Sequence, residues 1–382
     1  MPRHLVLAGA GHAQLDLLAA LSRQRPPGWE VTLVTSQPAF HYSGLLPAII
    51  AGLVAPDAAQ IPVAAIARAA GMRVVEASVT ALDAAQRRLQ LHTGQTIDCD
   101  LLSLDVGSVP AALDVPGVSE HASPMRPFHA ALTLTSRLDA ALVTGAKGEL
   151  VPVVVVGAGA AGVEIAFAVR ARIRAAGRAP QVTLVDPSIT DGRPLAGFDE
   201  ASRTLAARAL QTRGIRRHGG EVQAVHADGV TVRDASGTTR IASVATAWVT
   251  GPAAPQWLSR AGLPCDARGY PLADDTLALT ADATIFGAGD CVTLREYPAM
   301  PKAGVYAVRM APILAANVLA VMRDTRPAAR YMPQRSFLAL LSTGDGKALL
   351  RWNGVTLESR WAQHLKTWID LRYLRRYRSL TR

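Results

Sequence analysis

Short, wholly apolar runs flank a helix-compatible stretch in this chain, and the arrangement occurs twice. Residues 5–34 run Leu5-Val6-Leu7-Ala8, a glycine turn, an amphipathic stretch and then Val31-Thr32-Leu33-Val34. Residues 153–185 repeat the order, from Val153-Val154-Val155-Val156 through a second glycine turn to Val182-Thr183-Leu184-Val185. Uninterrupted apolar runs of this length suit strands buried on both faces of a parallel sheet, while the stretch between them keeps a spacing near 3.6. Further strands are predicted over 73–79, 88–92 and 101–106, then 221–226, 230–233 and 243–250, with a long helix over 304–322.

Two βαβ units, about 150 residues apart, each nucleate their own sheet, so the predicted fold is α/β with two Rossmann-like dinucleotide-binding domains. The expected boundaries place residues 1–128 with 253–324 in one discontinuous domain and residues 129–252 in an inserted second. Residues 325–382 form a small C-terminal basic region. A length of 382 residues agrees with about two cores.

The glycine turns carry the first chemistry. In a G-x-G-x-x-G turn the first glycine permits the bend and the second lets backbone N–H groups approach a pyrophosphate. The third lets helix and strand pack closely. Gly157, Gly159 and Gly162 complete the pattern, whereas the first copy has Gly9 and Gly11 but Gln14 in third place, which predicts a slightly wider helix–strand spacing. Asp186 follows the second strand of the second unit, where an acid bonds ribose hydroxyls and repels a 2′-phosphate, so NADH is expected there, with Arg193 close enough to soften the preference. The first unit has Thr35-Ser36 at that point, and a hydroxyl takes the acid's place.

Composition narrows the class. Hydrophobic residues make up 49% and charged residues 18%, which excludes a disordered chain. No uncharged apolar run of bilayer-spanning length and no signal-peptide pattern is present, so a cytoplasmic-side protein is expected. Cys99, Cys265 and Cys291 stand far apart without zinc or redox spacing, so neither a metal site nor a disulfide is expected. The net charge is +10, and residues 326–382 hold twelve Lys/Arg against three Asp/Glu, a local +9. Arginine outnumbers lysine 36 to 4, which makes any single arginine a weak signal.

Several blocks together carry a resemblance. They are Gly9-Ala10-Gly11-His12-Ala13, Tyr42-Ser43-Gly44-Leu45-Leu46-Pro47, Leu102-Ser103-Leu104-Asp105-Val106-Gly107-Ser108 and Gly162-Val163-Glu164. Trp248-Val249-Thr250-Gly251, Ile285-Phe286-Gly287-Ala288-Gly289-Asp290-Cys291, Pro301-Lys302-Ala303-Gly304-Val305 and residues 337–345 complete the set. The chain resembles the FAD/NAD(P)-dependent pyridine nucleotide oxidoreductases, and within them the type II NADH:quinone oxidoreductases. The nearest likeness is to the branch found alone or fused to selenide, water dikinase. It is similar also to sulfide:quinone oxidoreductases.

The resemblance implies FAD in the first domain and NAD(H) in the inserted one. It implies Asp290 on the ribityl chain of FAD, with Gly289, Lys302 and Ala303 near the flavin. Gly9, Gly11, His12, Ala13, Ser36, Ser43, Gly44 and Gly107 then line the FAD side, and Gly157, Gly159, Gly162, Asp186 and Gly251 the nicotinamide side. Lys302 is expected to steady reduced flavin from a helix start near Ala303, its alternative being a plain surface lysine. Glu164 has two readings, one near nicotinamide and flavin, the other a helix-start acid that favours the dipole. His41 reads as a polar loop residue, and His12 as a packing or phosphate contact.

The expected activity is NADH:acceptor oxidoreduction with a quinone-type acceptor. The alternatives are a flavin reductase serving selenium or sulfur metabolism and a slow-turnover regulatory flavoprotein. Residues 361–378 are helix-compatible, with Trp361, Leu365, Trp368, Ile369, Leu371 and Tyr373 on one face and Lys366, Thr367 and Asp370 opposite. That pattern suits an interfacial helix on the inner membrane face or a helix packed on the first domain. No nucleic acid is expected as partner, and monomer and homodimer stay open.

Overall fold

The computed structural model describes residues 2–144 and 146–381. Two five-stranded parallel sheets organise the chain. In the first, the strand order is Ile285–Gly287, Leu101–Leu104, Arg3–Ala8, Trp29–Thr35 and Arg73–Glu76. In the second it is Ala122–Pro124, Ala245–Trp248, Leu150–Val156, Ala179–Val185 and Arg216–His218. The central strands are almost fully buried, as their unbroken apolar sequences require. Both sheets continue in the same way from the repeated unit, and the fold is therefore two Rossmann-like domains with a C-terminal region.

The strand Ala122–Pro124 pairs with Ala245–Trp248 and so belongs to the second sheet, although it precedes the expected boundary at 128. The short antiparallel pair Val109–Pro110 with Pro252–Ala253 marks the crossing between the domains more closely. A three-residue strand inside a proline-rich connector shows no periodicity of its own.

The helix Gly304–Met322 has the span expected from the sequence. It packs against Gln14–Arg23 under the first sheet. By length and mean hydropathy, 1.7 over its best window, it passes the test for a membrane-crossing helix, yet half of that window is buried inside the protein. Asn317 ties it to the chain that follows. Its Nδ2 donates to Thr276 O at 2.8 Å and Ala329 O at 2.7 Å, and its Oδ1 accepts from the N–H groups of Ala328 and Ala329.

The C-terminal region is a three-stranded antiparallel sheet, Ala339–Ser342, Ala348–Trp352 and Val355–Ser359, followed by the helix Arg360–Arg378. Ser359 caps that helix by accepting from Ala362 N–H. Its first strand packs on Ala160–Ala175 of the second domain, while the helix contacts the strand Gln60–Ile61 of the first.

The inward face of this helix only partly matches the expected one: Lys366 and Asp370 of the polar side turn inward while Thr367 stays exposed, and Tyr373 of the apolar side stacks on Tyr42. Ala362, Lys366, Asp370, Leu374 and Tyr377 are buried, whereas Trp361 is 62% and Trp368 58% exposed. Lys366 and Asp370 turn inward because Glu164, Gly44 and Tyr42 offer them partners, which outweighs the apolar wheel.

Replacing Asn317 by Leu should lower stability by roughly 2–4 kcal/mol, because buried backbone groups lose their partners. Denaturant unfolding would read this, and an unchanged midpoint would remove Asn317 from the packing account.

Candidate functional site

The first glycine turn closes on Asp105. A Cβ on Gly9 would lie 2.2 Å from the Asp105 carbonyl oxygen, and one on Gly11 would lie 2.4 Å from its carboxylate. Gly289, at φ +73°, comes equally near the same carboxylate from the other side. Asp105 Oδ2 accepts from Gln14 N–H at 2.8 Å, so an acid side chain replaces a pyrophosphate as partner of that N–H. Burial pushes the Asp105 carboxyl up to about 7; the Gln14 N–H opposes this, and Asp290 adds to it. The signal for Asp105 that the sequence alone does not expose is its place beside Gly9, Gly11 and Gly289.

Gln14 also explains the missing third glycine. Its Nε2 donates to Gly9 O and Ser103 O, while its Oε1 accepts from the Ser103 hydroxyl at 2.6 Å. A side chain that hydrogen-bonds across the helix–strand gap does the work that close approach does in the second unit.

A cleft of about 510 Å³ runs along this turn. Gly9, Gly11 and His12 form its floor, Thr35 and Ser36 one end, and Asp290, Gly107 and Gly304 lie further along. Ser43 lines it as well, and Ala13 is buried just beneath. His41 also faces the cleft and stacks on Phe128 with ring centres 4.5 Å apart, so it is more than a polar loop residue. His12 packs edge-on to Phe40, and burial pushes its imidazole down to about 4, with Arg126 adding to the shift. It is therefore neutral near pH 7 and offers no charge to a phosphate. Arg126, missed in the sequence, bonds Ser108 Oγ and reaches Asp290 Oδ2 at 3.2 Å.

Lys302 is placed differently from its expected flavin-side position. Its ammonium donates to Val292 O and to Thr293 Oγ1 at 3.1 Å, and sits 4.2 Å from the centre of the Tyr270 ring. Burial pushes it down to about 8, with Cys291 and Asp290 opposing. The cleft meets the N-terminal turn after Ala303 instead, through Gly304 and Ala307. That turn presents its positive end without help from the lysine.

The second turn is held by backbone contacts. A Cβ on Gly162 would lie 1.8 Å from Gly157 O, and one on Gly157 would lie 2.3 Å from Val249 O. Gly159 and Gly251 meet no protein atom within 4 Å, so protein packing does not demand glycine there. A ligand backbone approaching the turn does demand it at Gly159. Asp186 lies at the turn, its two oxygens accepting from Ala158 N–H and Ser188 N–H, both at 2.8 Å. Arg193 is engaged by Asp191 and Glu200, which removes it from the ribose end.

Glu164 does not lie in the first turn of its helix, so the dipole reading fails. It is buried, accepts from Ser342 N–H at 2.8 Å, and lies 3.7 Å from Lys366 Nζ. Lys366 Nζ donates to Gly44 O at 2.9 Å and Asp370 Oδ2 at 3.1 Å, and the Tyr42 hydroxyl donates to Asp370 Oδ1 at 2.9 Å. Two carboxylates thus share one ammonium directly behind the Ser43–Gly44 turn of the cleft. Burial raises both carboxyls, and Lys366 opposes the rise in each. Burial also acts to lower Lys366, but Glu164 and Asp370 outweigh it and hold the amine charged.

The cysteines take no part in such a cluster. All three are free; Cys99 and Cys291 are buried and pushed up to about 12, chiefly by that burial.

Two sheets, each with a glycine turn opening a helix, define a flavin- and nicotinamide-dependent oxidoreductase of the two-dinucleotide type, and the residues present fit both cofactors. The chain belongs to the pyridine nucleotide-disulphide oxidoreductase family, whose profile matches residues 3–311. It is 30% identical over 312 residues to an NADH dehydrogenase-like protein of Mycobacterium tuberculosis, spanning 76% of this chain and 73% of that one. It is 24% identical over 325 residues to the external alternative NAD(P)H-ubiquinone oxidoreductase B4 of Arabidopsis thaliana, spanning 77% of this chain and 55% of the relative. Among solved structures, the sulfide:quinone oxidoreductase of Aquifex aeolicus superposes with a TM-score of 0.81 at 19% identity, covering 99% of this chain and 92% of that one. The NDH2 of Plasmodium falciparum gives 0.81 at 12% identity, covering 100% and 97%. These structural likenesses show the shared fold of two dinucleotide-binding domains with a C-terminal region.

The two glycines of the second turn should respond differently to alanine. Gly162→Ala should destabilise the protein, whereas Gly159→Ala should leave the melting temperature in place and weaken NADH binding roughly tenfold or more, about 1.4 kcal/mol. Calorimetry with NADH tests both, and an unchanged affinity in Gly159→Ala would exclude the turn as a cradle. A second test concerns Asp105, whose carboxyl stands at about 7 in the fold against 3.8 in the unfolded chain. The folded state binds a proton that the unfolded chain has released, so stability should fall as pH rises between those values. Melting curves of cofactor-stripped protein should show that slope, and Asp105→Asn should flatten it.

Proposed function

We propose that the protein is an FAD-dependent NADH:acceptor oxidoreductase that reduces a quinone-type acceptor. The buried cluster of Glu164, Lys366, Asp370 and Tyr42 carries this reading. Reduction of a quinone to a quinol takes up protons as well as electrons, and this cluster holds exchangeable protons away from bulk water beside the cleft. No thiol is placed to form or attack a disulfide, which supports a quinone over a disulfide or polysulfide acceptor.

FAD bound along the first turn would accept a hydride equivalent from NADH and pass electrons on to the acceptor. The chain's own contribution is binding and positioning. Gly157, Gly159 and Gly162 hold the NADH pyrophosphate against a helix start, and Asp186 selects its ribose. Gly9, Gly11, Ser36 and Gly107 hold FAD, with Asp290 toward its ribityl chain. The N-terminal turn at Gly304, which lines the cleft, would offer positive potential to a flavin bound there. Lys366 keeps Glu164 and Asp370 close, and the Tyr42 hydroxyl, bonded to Asp370 Oδ1, would link the Asp370 carboxyl to the Ser43–Gly44 side of the cleft.

The acceptor's solubility suggests a membrane surface on the cytoplasmic side. Trp361, Trp368 and Leu371 face outward on the C-terminal helix, and Arg372 lies 5.4 Å over the Trp368 ring. Aromatic residues beside arginine suit the interface of an anionic bilayer.

Purified protein should show a flavin spectrum that NADH bleaches without oxygen and that a soluble quinone restores. Glu164→Gln should keep the bleaching rate and slow the recovery by roughly tenfold to a hundredfold. Bleaching without recovery in the parent protein would overturn the quinone reading and favour an acceptor in selenium or sulfur chemistry. No bleaching would favour a regulatory flavoprotein.

A further inference from the structure

The Asp105 carboxyl lines the dinucleotide cleft at the first glycine turn, and the residue is only 3% exposed. Its Oδ2 accepts the Gln14 N–H at 2.8 Å, so that donor is closed to a ligand. Its Oδ1 lies between two glycines, 2.4 Å from a Cβ on Gly11 and 2.6 Å from one on Gly289. No side-chain donor and no cation bonds either oxygen among the described residues. The second turn is built otherwise: no side chain caps the N–H groups that open Ala160–Ala175, and no acid stands in that first turn. A helix start left open in this way receives a pyrophosphate directly, whereas the first turn already holds a carboxyl of its own.

Charge sharpens the contrast. Histidines apart, the cleft is lined by two acids, Asp105 and Asp290, and one cation, Arg126, which reaches Asp290 Oδ2 at 3.2 Å. The groups that face Asp105 from other elements bring no positive charge. Burial keeps the His12 imidazole neutral near pH 7, and it pushes the Cys291 thiol and the Tyr373 hydroxyl up, so both stay protonated. With Asp105 ionised, two acids against one arginine would confront a pyrophosphate dianion with a net negative lining. A neutral carboxylic acid removes that charge and also supplies a donor, since one oxygen still accepts while the other carries O–H. Oδ2 then keeps the Gln14 N–H, and Oδ1 replaces the donor that the turn has lost.

We propose that Asp105 binds the FAD pyrophosphate as a neutral acid, with Oδ1–H donating to a phosphate oxygen, so that FAD binding takes up one proton from water. The inference rests on the assignment of FAD to the first turn. Burial already pushes this carboxyl up to about 7 without a ligand, and a bound dianion pushes it further. Below about pH 7 the free and FAD-bound forms both hold the proton, and affinity does not change with pH. Above it the free form has released a proton that the bound form keeps, and affinity falls as pH rises.

The test dilutes FAD-loaded protein at pH values from about 6 to about 9 and reads released flavin by its fluorescence. The dissociation constant should stay level to about pH 7 and then rise by up to tenfold per pH unit. Asp105→Asn offers an amide N–H in place of the O–H and has no proton to lose, so its profile should be level throughout. Adding FAD to the stripped parent at about pH 8 should also raise the infrared carbonyl band of a protonated carboxylic acid, a readout that needs no variant. A level profile in the parent, or the absence of that band, would overturn the proposal. A slope that survives in Asp105→Asn would overturn it too and assign the proton to His12. Protein that takes up no FAD at any pH would strike the FAD assignment itself, whereas FAD bound without a pH slope strikes only this inference.

Discussion

The ammonium of Lys366 joins three stretches of chain that are far apart in sequence. It reaches the Gly44 carbonyl of the first domain, Glu164 of the second and Asp370 on its own helix. A charge this deeply buried is tolerated only while its partners stay in place, and they in turn are costly to bury without it. The position of the C-terminal helix, the closure of the cleft behind Ser43 and the contact between the two domains therefore depend on one another. Chemistry and architecture meet in the same group, because the carboxyls that fix the helix are also those that can hold a proton.

The two glycine turns reach one outcome by different physics. In the second, Gly162 lies against Gly157 O with no room for a side chain, and Asp186 ties the turn to the next strand. In the first, Gln14 and Ser103 bridge the gap with hydrogen bonds, and Gly11 and Gly289 close on the buried Asp105 carboxyl while Gly9 lies against its carbonyl oxygen. The first turn is the more polar and the more sensitive to protonation. The second is set by steric fit together with the two hydrogen bonds to Asp186.

Much of this was legible in the sequence. The duplicated apolar runs gave both sheets, and the spacing from Gly304 to Met322 gave the helix to the residue, since strong periodicity is a local property. Four things were not legible. The strand Ala122–Pro124 is too short to show a pattern, so the domain crossing was set too late. The C-terminal helix turned Lys366 and Asp370 inward, because hydropathy assigns cost to a buried charge without knowing its partner. Arg126 had no signal at all in a chain so rich in arginine, and Lys302 lay in a familiar motif yet is bound to Val292 and Thr293.

The first sheet has a consequence for how the chain is made. Its edge strand Ile285–Gly287 is about 180 residues later in synthesis than Leu101–Leu104, with which it pairs. All five strands of the second sheet leave the ribosome before it does. The inserted domain can therefore complete itself while Leu101–Leu104 still presents an open, apolar edge. That edge is a template for pairing with a neighbouring nascent chain until residue 285 arrives. In this architecture the later domain is finished first, and the exposed interval is longest for the strand that leads directly to Asp105.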